Sequence, residues 1–352
     1  MFEVVAIGSA TRDTFVVADI KTIPWKNTPS RRAYVLPLGE KLEVKSVFFT
    51  IGGNAANAAV TFSRQGLGTA CAAKIGCDVY GEELRRRLKE EGVDTRLMVC
   101  DQYLPTAYSV LLTRGGEPRR RAKLSVRGER TILGYHGASD SFRLQDIKLD
   151  NLKSRWWYLS LAGESDKMFS ALLRFARKNN IAVAFNPSGH HLRHKRSEIL
   201  SSLKDLSFLV LNEEEAALLT GIPFSNEKAV FKKLDRLVPG VLAVTNGRVG
   251  MTASDGRFVY KSGIFKERKL ADRTGAGDAF GAGFVAGLIQ RGLRRSNMKN
   301  IRQQDINYAI RLATANAAAA VEEVGATEGV LTEREFRSSP RFKNLKILIK
   351  KV

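Results

Sequence analysis

The chain has 352 residues, of which 44% are hydrophobic and 26% are charged, so it can bury a large core as one large domain or two modest ones. It contains no run of about 18 apolar residues, which argues against a membrane span. The N-terminus lacks the basic flank and the cleavage site of a signal peptide, and we expect none.

The net charge of +21 is the unusual feature of the composition, with basic runs at residues 85–87, 119–121 and 191–196. A basic surface attracts nucleic acids without sequence preference, and it also steers anionic small molecules. Because no aromatic residues alternate with these runs, as a strand-binding groove would require, we interpret them as a solvated basic surface. Specific nucleic-acid binding is therefore not expected.

The three cysteines, Cys71, Cys77 and Cys100, have no metal-site spacing. An odd number of cysteines in a long chain favours buried thiols in a reducing cytosol over disulfides, so we expect a cytoplasmic protein. A histidine cluster at residues 190–194 has no neighbouring carboxylate or cysteine in the sequence and is interpreted as a polar loop.

The first element is a short apolar run at residues 2–8, which predicts a buried strand. Asp13 lies in the loop that is expected to follow. Ligands of open α/β sheets bind beyond the carboxyl ends of the strands, so Asp13 is placed to accept hydrogen bonds from hydroxyl groups. Residues 15–50 then contain several prolines and only short strand-like pieces.

A glycine- and asparagine-rich stretch opens the next predicted helix at residues 51–57. Gly52 and Gly53 allow close approach of a ligand to the backbone, and Asn54 and Asn57 offer amide donors and acceptors. Residues 103–135 alternate like antiparallel strands, with a hairpin turn predicted at Gly115 and Gly116. From residue 156 onwards strands and helices alternate, which predicts a doubly wound, mostly parallel α/β sheet flanked by helices.

A second glycine cluster, Thr274-Gly275-Ala276-Gly277-Asp278, lies where a loop opens a helix. The free amides and the dipole of a helix N-terminus suit a phosphate group. Asp278 lies in the same turn, and a carboxylate beside bound phosphate is useful only if it handles a proton. We interpret it as the general base for a hydroxyl group that attacks phosphorus. No Lys-Ser or Lys-Thr pair follows, and no fingerprint follows the first strand, which excludes a Walker loop and a nicotinamide-dependent dehydrogenase.

Residues 271–287, together with residues 52–57, resemble the motifs of the ribokinase-like (PfkB) carbohydrate kinase family, and the similarity extends through most of the chain. The resemblance implies ATP-dependent transfer of the γ-phosphoryl group to a hydroxymethyl group. It makes Asp278 the catalytic base and the amides of Gly275, Ala276 and Gly277 the anion hole. It also implies a core of residues 1–14, 51–102 and 136–352 and a small β-sheet lid of residues 15–50 and 103–135.

The same resemblance assigns the ligand contacts. Asp13, Gly53 and Asn57 would hold the acceptor, with Gly52 and Asn54 beside them. Thr245 and Gly247 would contact the phosphates and ribose of ATP, and Asn316 would lie near the adenine. Asn212 and Glu215 would organise Mg²⁺, Glu215 through water, although both residues also form an ordinary helix cap. Asp272 would help to hold a potassium ion.

Several alternatives stay open at this point. Arg273 replaces the small residue that is usual in the family, and its role is open. The acceptor is a sugar or a sugar-like alcohol; the long segment 15–50 and Asn54, where some members have Lys, lean towards a nucleoside. A homodimer formed through the lid is also open. The alternative from another class is a basic nucleic-acid-binding protein built on a kinase-like fold, and the intact Asp278 argues against it.

Overall fold

A computed structural model describes residues 1–26, 30–115 and 126–352. The strands of these residues are β1 (Phe2–Gly8), β2 (Thr11–Ala18), β3 (Thr22–Pro24), β4 (Arg32–Tyr34), β5 (Ser46–Gly52), β6 (Thr69–Ala72), β7 (Lys74–Gly76), β8 (Val99–Asp101), β9 (Tyr108–Gly115), β10 (Val126–Tyr135), β11 (Ser154–Ser160), β12 (Ala182–Phe185), β13 (Phe208–Asn212), β14 (Val241–Asn246), β15 (Gly250–Ser254), β16 (Phe258–Ser262) and β17 (Ile347–Lys351).

The α-helices of the same residues are α1 (Asn54–Arg64), α2 (Val79–Glu90), α3 (Gly137–Asp140), α4 (Phe169–Lys178), α5 (Gly189–His194), α6 (Arg196–Ser202), α7 (Glu213–Thr220), α8 (Glu227–Asp235), α9 (Ala276–Gln290), α10 (Gln303–Ala320) and α11 (Glu333–Ser338). In this part of the chain, none of the helices has the length and hydropathy of a membrane-spanning segment.

The core is a nine-stranded sheet in the order β17-β16-β15-β14-β13-β12-β11-β1-β6. The pairs from β6 to β14 are parallel, and the pairs from β14 to β17 are antiparallel. Alternate residues of β1 point to opposite faces: Val4 and Ala6 pack with α1, α9 and α10, while Val5 and Ile7 pack with α4 and α6–α8. This is the mostly parallel, helix-flanked sheet that the sequence predicts.

Glycines bring the two long helices of one face together. A Cβ atom on Gly283 would lie 3.1 Å from the Cα of Ala313, and one on Gly287 would lie 2.6 Å from the Cα of Ala309. Larger residues on α9 would therefore push it away from α10 and from the sheet. This packing holds the first turn of α9 in a fixed position at the edge of the core.

Residues of the predicted lid build a separate four-stranded sheet, in the order β10-β9-β2-β5. Its strand β2 begins at Thr11 and its strand β5 ends at Gly52, so the sheet includes residues 11–14 and 51–52, which the sequence assigned to the core. Asp13 is thus the third residue of a lid strand and not part of a loop. The hairpin turn predicted at Gly115 and Gly116 lies partly outside the described residues.

The expectation for the cysteines was wrong. Strands β7 and β8 pair in parallel, with Ile75 opposite Cys100, and this brings Cys77, the residue after β7, close enough to Cys100 to form a disulfide with a Cα–Cα distance of 5.2 Å. Only Cys71 is a free, buried thiol. The pairing depends on a contact between two short strands that the spacing of the cysteines does not reveal.

The histidine cluster also differs from the prediction, because residues 189–194 form helix α5 and not a loop. His191 is fully buried between Phe169 and Phe185, and Asp166 lies 3.2 Å from its Nδ1 atom. Burial lowers the pKa of His191 to about 4, so its ring is neutral near pH 7. The side chain belongs to the core.

Candidate active site

Asp13 lies on lid strand β2, with only 7% of its surface exposed, and its charge acts on Asp278 of the core. Its carboxylate accepts hydrogen bonds from Ser109 on the neighbouring lid strand and from Thr11, the latter at 3.0 Å. The pKa of Asp13 is raised overall. Burial, the largest effect, raises it, the two hydrogen bonds lower it, and the negative charge of Asp272 raises it. Gly52 leaves room for the carboxylate, since a Cβ atom there would collide with it.

The start of α1 brings polar groups to the same region. Gly53 has φ 89° and lies so close to Ser9 that a Cβ atom would be 2.6 Å from its carbonyl oxygen. The amide of Asn54 donates to Ser160 at 3.0 Å, so this side chain is already engaged with the end of β11. Asn57 is 5% exposed, and its Oδ1 atom has no hydrogen-bond partner. An unsatisfied buried acceptor of this kind suits a hydroxyl donor.

The glycine cluster of residues 274–278 forms the N-terminal turn of α9. Gly275 has φ 74° and packs against Ala326, where a Cβ atom would lie 2.6 Å from the Cβ of Ala326. Gly277 has no neighbour within 4 Å of an added Cβ atom. The open side of this turn therefore exposes helix-terminal backbone, which carries free N–H groups and positive partial charge.

Asp278 and Asn57 meet although they lie 221 residues apart: the Asn57 Nδ2 donates to the Asp278 Oδ2 at 2.9 Å. Burial raises the pKa of Asp278 from 3.8 to about 6, the Asn57 hydrogen bond lowers it, and the charge of Asp13 raises it. A carboxylate with this pKa is ionised at neutral pH and still accepts a proton readily, as a general base must.

A cavity of about 330 Å³ lies on the other side of the α9 turn. Its lining is mostly apolar, with Phe265, Leu270, Phe280, Ala317 and Val321 among others; Thr245 adds a hydroxyl group, and Gly247, Ala276 and Gly277 bring backbone to the surface. Size and lining fit a nucleotide, whose base is flat and apolar and whose phosphates prefer backbone amides. Arg273 and Arg248 also line it and add positive charge.

Asn212 and Glu215 form a complete capping box at the start of α7. The Asn212 N–H donates to Glu215 Oε2 at 2.8 Å, and the Glu215 N–H donates to Asn212 Oδ1 at 2.8 Å. The pKa of Glu215 is raised overall. Burial, the largest effect, raises it, the hydrogen bond from the Asn212 N–H lowers it, and the negative charge of Asp278 raises it. Glu215 thus lies within electrostatic reach of Asp278, and it also serves as a cap.

Asn316 is not part of the cavity. It is completely buried, and it donates to the Ala279 carbonyl at 2.9 Å and accepts from the Leu331 N–H at 2.8 Å. Its amide ties α10 to α9 and to the segment after α10. The neighbouring residues Thr314, Ala317 and Ala318 line the cavity instead.

Asp272 lies just before the α9 turn, nearly buried, and its Oδ1 atom accepts hydrogen bonds from the backbone N–H and the hydroxyl of Thr274 at 3.1 and 2.9 Å. Arg130 of lid strand β10 forms an ion pair with the same oxygen at 3.5 Å. Because this guanidinium already supplies positive charge, the site fits the expected potassium ion only in part.

The model of the pfkB carbohydrate kinase family matches residues 12–333. The chain belongs to this family. It is therefore a phosphotransferase that acts on an alcohol group, and kinase chemistry in this family implies the use of ATP.

Two curated relatives show the range within the family. A ribokinase of Haemophilus influenzae is 26% identical over 309 residues, covering 86% of this chain and 91% of its own. A nucleoside kinase of Methanothermobacter thermautotrophicus is 26% identical over 281 residues, covering 78% of this chain and 79% of its own. The chain is a sugar or nucleoside kinase of the pfkB family.

The fold agrees with this assignment. The structure of Arabidopsis thaliana ribokinase, complexed with ribose and ATP, aligns with a TM-score of 0.74 at 20% identity and covers 97% of this chain and 99% of its own. The ribokinase-like fold that the sequence predicts is thereby confirmed.

Two groups of site residues were missed by the sequence. The apolar wall of the cavity, with Phe265 and Leu270, comes from an irregular segment between β16 and α9 and has no local pattern. Arg130 lies in a basic stretch that gives no sign of its partner 142 residues further along. Such long-range pairs become visible only when the strands are in register.

Proposed function

We propose that this kinase transfers the γ-phosphoryl group of ATP to a hydroxymethyl group, with Asp278 as general base and the first amides of α9 as anion hole. The observation that carries the proposal is the position of Asp278. Its carboxylate accepts a hydrogen bond from Asn57 on the side of Asp13, whereas the adjacent residue, Gly277, lines the nucleotide-sized cavity. One helical turn thus separates a place for the acceptor from a place for the donor.

In this proposal Asp13, Asn57 and the backbone at Gly53 hold the acceptor hydroxyls, with Gly52 leaving room for Asp13. Asp278 accepts the proton of the attacking hydroxyl group while the oxygen of that hydroxyl group forms a bond to the γ-phosphorus. The bond from that phosphorus to the bridging oxygen breaks, and ADP leaves with the bond's electron pair. Because proton transfer and attack occur together, the alcohol never carries a full negative charge.

The amides of Gly275, Ala276 and Gly277 supply the second element of the proposal. They lie at the positive end of the helix dipole, where charge builds up on the phosphoryl oxygens in the transition state. Thr245 and Gly247 line the same cavity and are proposed to contact the nucleotide. Arg273, exposed beside them, adds charge that attracts the phosphates.

Magnesium fits the residues present. Mg²⁺ prefers oxygen ligands and usually keeps several waters while it binds phosphates and one or two carboxylates. Glu215 offers one carboxylate near Asp278, with Asn212 fixing its orientation. When bound, the ion would neutralise phosphate charge.

The acceptor is proposed to be a sugar or a sugar-like alcohol, with a nucleoside as the alternative. The long first lid segment and Asn54 favour the nucleoside. The two relatives described above, a ribokinase and a nucleoside kinase, represent the two choices.

We place the activity in the cytoplasm because ATP is supplied there, although the cysteines no longer support that compartment.

An ADP-release assay with ATP and Mg²⁺ over pentoses, hexoses, sugar acids and nucleosides tests the proposal. We expect at least one acceptor to raise ADP production well above the rate without acceptor. ADP release at the background rate for the whole panel, from protein that still binds ATP, would contradict it.

The outer face of the lid is proposed to pair with a second copy of the chain. Val47, Phe49, Leu133 and Tyr135 expose between 39% and 55% of their surface, and by strand register they share the face that points away from Asp13. A two-fold axis would cover this apolar face with the same face of the partner.

A further inference from the structure

One ion pair connects the lid to the turn that opens α9. Arg130 Nη1 lies 3.5 Å from Asp272 Oδ1, and the two side chains are 25% and 2% exposed. At this exposure the surrounding water and salt screen the pair only weakly. Arg130 lies opposite Thr113 in the β9–β10 pairing, next to a register irregularity between Val126 and Arg130, and Thr113 is itself buried and bonded to the Val16 carbonyl.

Asp272 controls the shape of the turn. Its Oδ1 atom accepts both the backbone N–H and the hydroxyl of Thr274, the residue immediately before Gly275. Its Oδ2 atom is buried without a hydrogen-bond partner, and so is the Nε atom of Arg130. A nearly buried carboxylate needs a counter-charge, and in the described residues the structure supplies it from the lid.

We propose that Arg130 is a positioning residue for phosphoryl transfer: through Asp272 it holds the anion-hole turn and supplies there the positive charge that was expected from a potassium ion. The proposal rests on the kinase function above. Without Arg130 the charge of Asp272 would lie uncompensated beside the place of the γ-phosphoryl group and would repel it. Because Arg130 belongs to the lid, the turn is fully neutralised only while the lid is in place.

A double-mutant cycle tests the coupling. We expect Arg130→Met to lower kcat by about tenfold or more, within the usual range of coupling between sites, with less change in the KM of the acceptor. Arg130→Lys should recover part of the rate because it restores the charge. Arg130→Met combined with Asp272→Asn should be no slower than the slower single variant, since the repulsive charge is then gone. Multiplicative losses in the double variant would overturn the proposal.

Lys45→Met is the matched control. Lys45 also lies beside the lid sheet, but it pairs with Asp19 at 2.6 Å, and both side chains are well exposed. Its loss should leave kcat unchanged. An equal loss of kcat in this variant would show that lid charge in general, and not the contact with Asp272, is responsible.

A separate experiment tests the counter-charge by comparing rates in assay buffers that contain either sodium or potassium as the monovalent cation. The wild-type rate should stay constant, and added guanidinium or potassium should partly restore Arg130→Met. A strong potassium requirement of the wild-type enzyme would contradict the proposal.

Hydrogen exchange provides a readout that does not need turnover. In Arg130→Met, the amides of residues 130–135 and 272–278 should exchange faster together, whereas unchanged exchange would contradict the coupling. If the wild-type protein phosphorylates nothing, the proposed function fails, but this measurement still decides whether the lid and the turn are coupled.

Discussion

Asp278 combines a raised pKa with a fixed position, and both properties can be tested by substitution. Asp278→Asn keeps the size of the side chain but cannot accept the proton. We expect kcat to fall by about 10²–10⁴, the usual contribution of a general base, while the affinity for ATP changes little. Single-turnover assays together with nucleotide titration measure the two effects. A variant with normal kcat would rule out the assigned role.

The pH dependence follows from the same carboxylate. With a pKa of about 6, Asp278 is protonated and inactive as a base at lower pH. We therefore expect kcat/KM to fall as the pH decreases through about 6 and to level off above it. Asn57→Ala removes the hydrogen bond that lowers this pKa, so its acid limb should move to higher pH. An acid limb that stays in place in this variant would argue against the contact.

Gly275 and Gly277 differ in what a methyl group would meet, and this gives a matched pair. Gly275→Ala forces a side chain into φ 74° and against Ala326, so we expect lower stability and loss of activity. Gly277→Ala meets nothing within 4 Å, so stability should be kept while the KM of ATP rises. Thermal unfolding and initial rates separate the two effects. Equal melting temperatures for both variants would contradict the expected difference in stability.

Sequence patterns point to the turn that is proposed to be catalytic because each motif is local. Glycines and a carboxylate at a helix start indicate the chemistry without the rest of the fold, and the position of Asn57 next to Asp278 is compatible with the acceptor role predicted for it. Asn316 shows the opposite case. Its position in an alanine-rich helix does not say which side of the helix faces the cavity, and the structure turns it inwards.

At the scale of the elements, the disulfide between Cys77 and Cys100 joins the segment that precedes α2 to strand β8. It closes a loop of 23 residues, for which the chain-entropy argument gives about 3 kcal/mol of stabilisation. We expect reductant, or Cys77→Ser, to lower the free energy of unfolding by about that amount. Urea unfolding with and without dithiothreitol measures it, and reductant should have no further effect on Cys77→Ser. Identical midpoints for wild-type protein in both buffers would contradict the prediction.

The elements themselves were predictable where their pattern is strong. The buried strands of the parallel sheet and the long helix α10 follow from apolar runs and helical spacing. Strand β8 begins only at Val99, because pairing with β7, and not local pattern, decides which residues join a strand. The start of β2 at Thr11 was missed for the same reason.

At the scale of the whole molecule, the apolar outer face of the lid determines the expected assembly. We expect Leu133→Glu to convert a dimer into monomers, because it places a charge in the proposed interface. Ile132→Glu is the control: Ile132 is equally exposed but lies on the face that points towards the core. Light scattering after size exclusion measures the mass. A wild-type monomer at micromolar concentration would contradict the proposed pairing.

In the proposed mechanism, the lid and the core share the task of holding the acceptor. Asp13 and Ser109 lie on strands of the lid, whereas Asn57 and Asp278 lie on helices of the core, and the nucleotide cavity is built from the core alone. Transplanting the lid of a relative would therefore exchange half of the polar groups around the alcohol and leave the lining of the donor cavity unchanged, provided that the new lid keeps the cation that Arg130 supplies to Asp272. Substrate preference in such chimeras can change in one step, by recombination of two short segments, without rebuilding the machinery that breaks the phosphate bond.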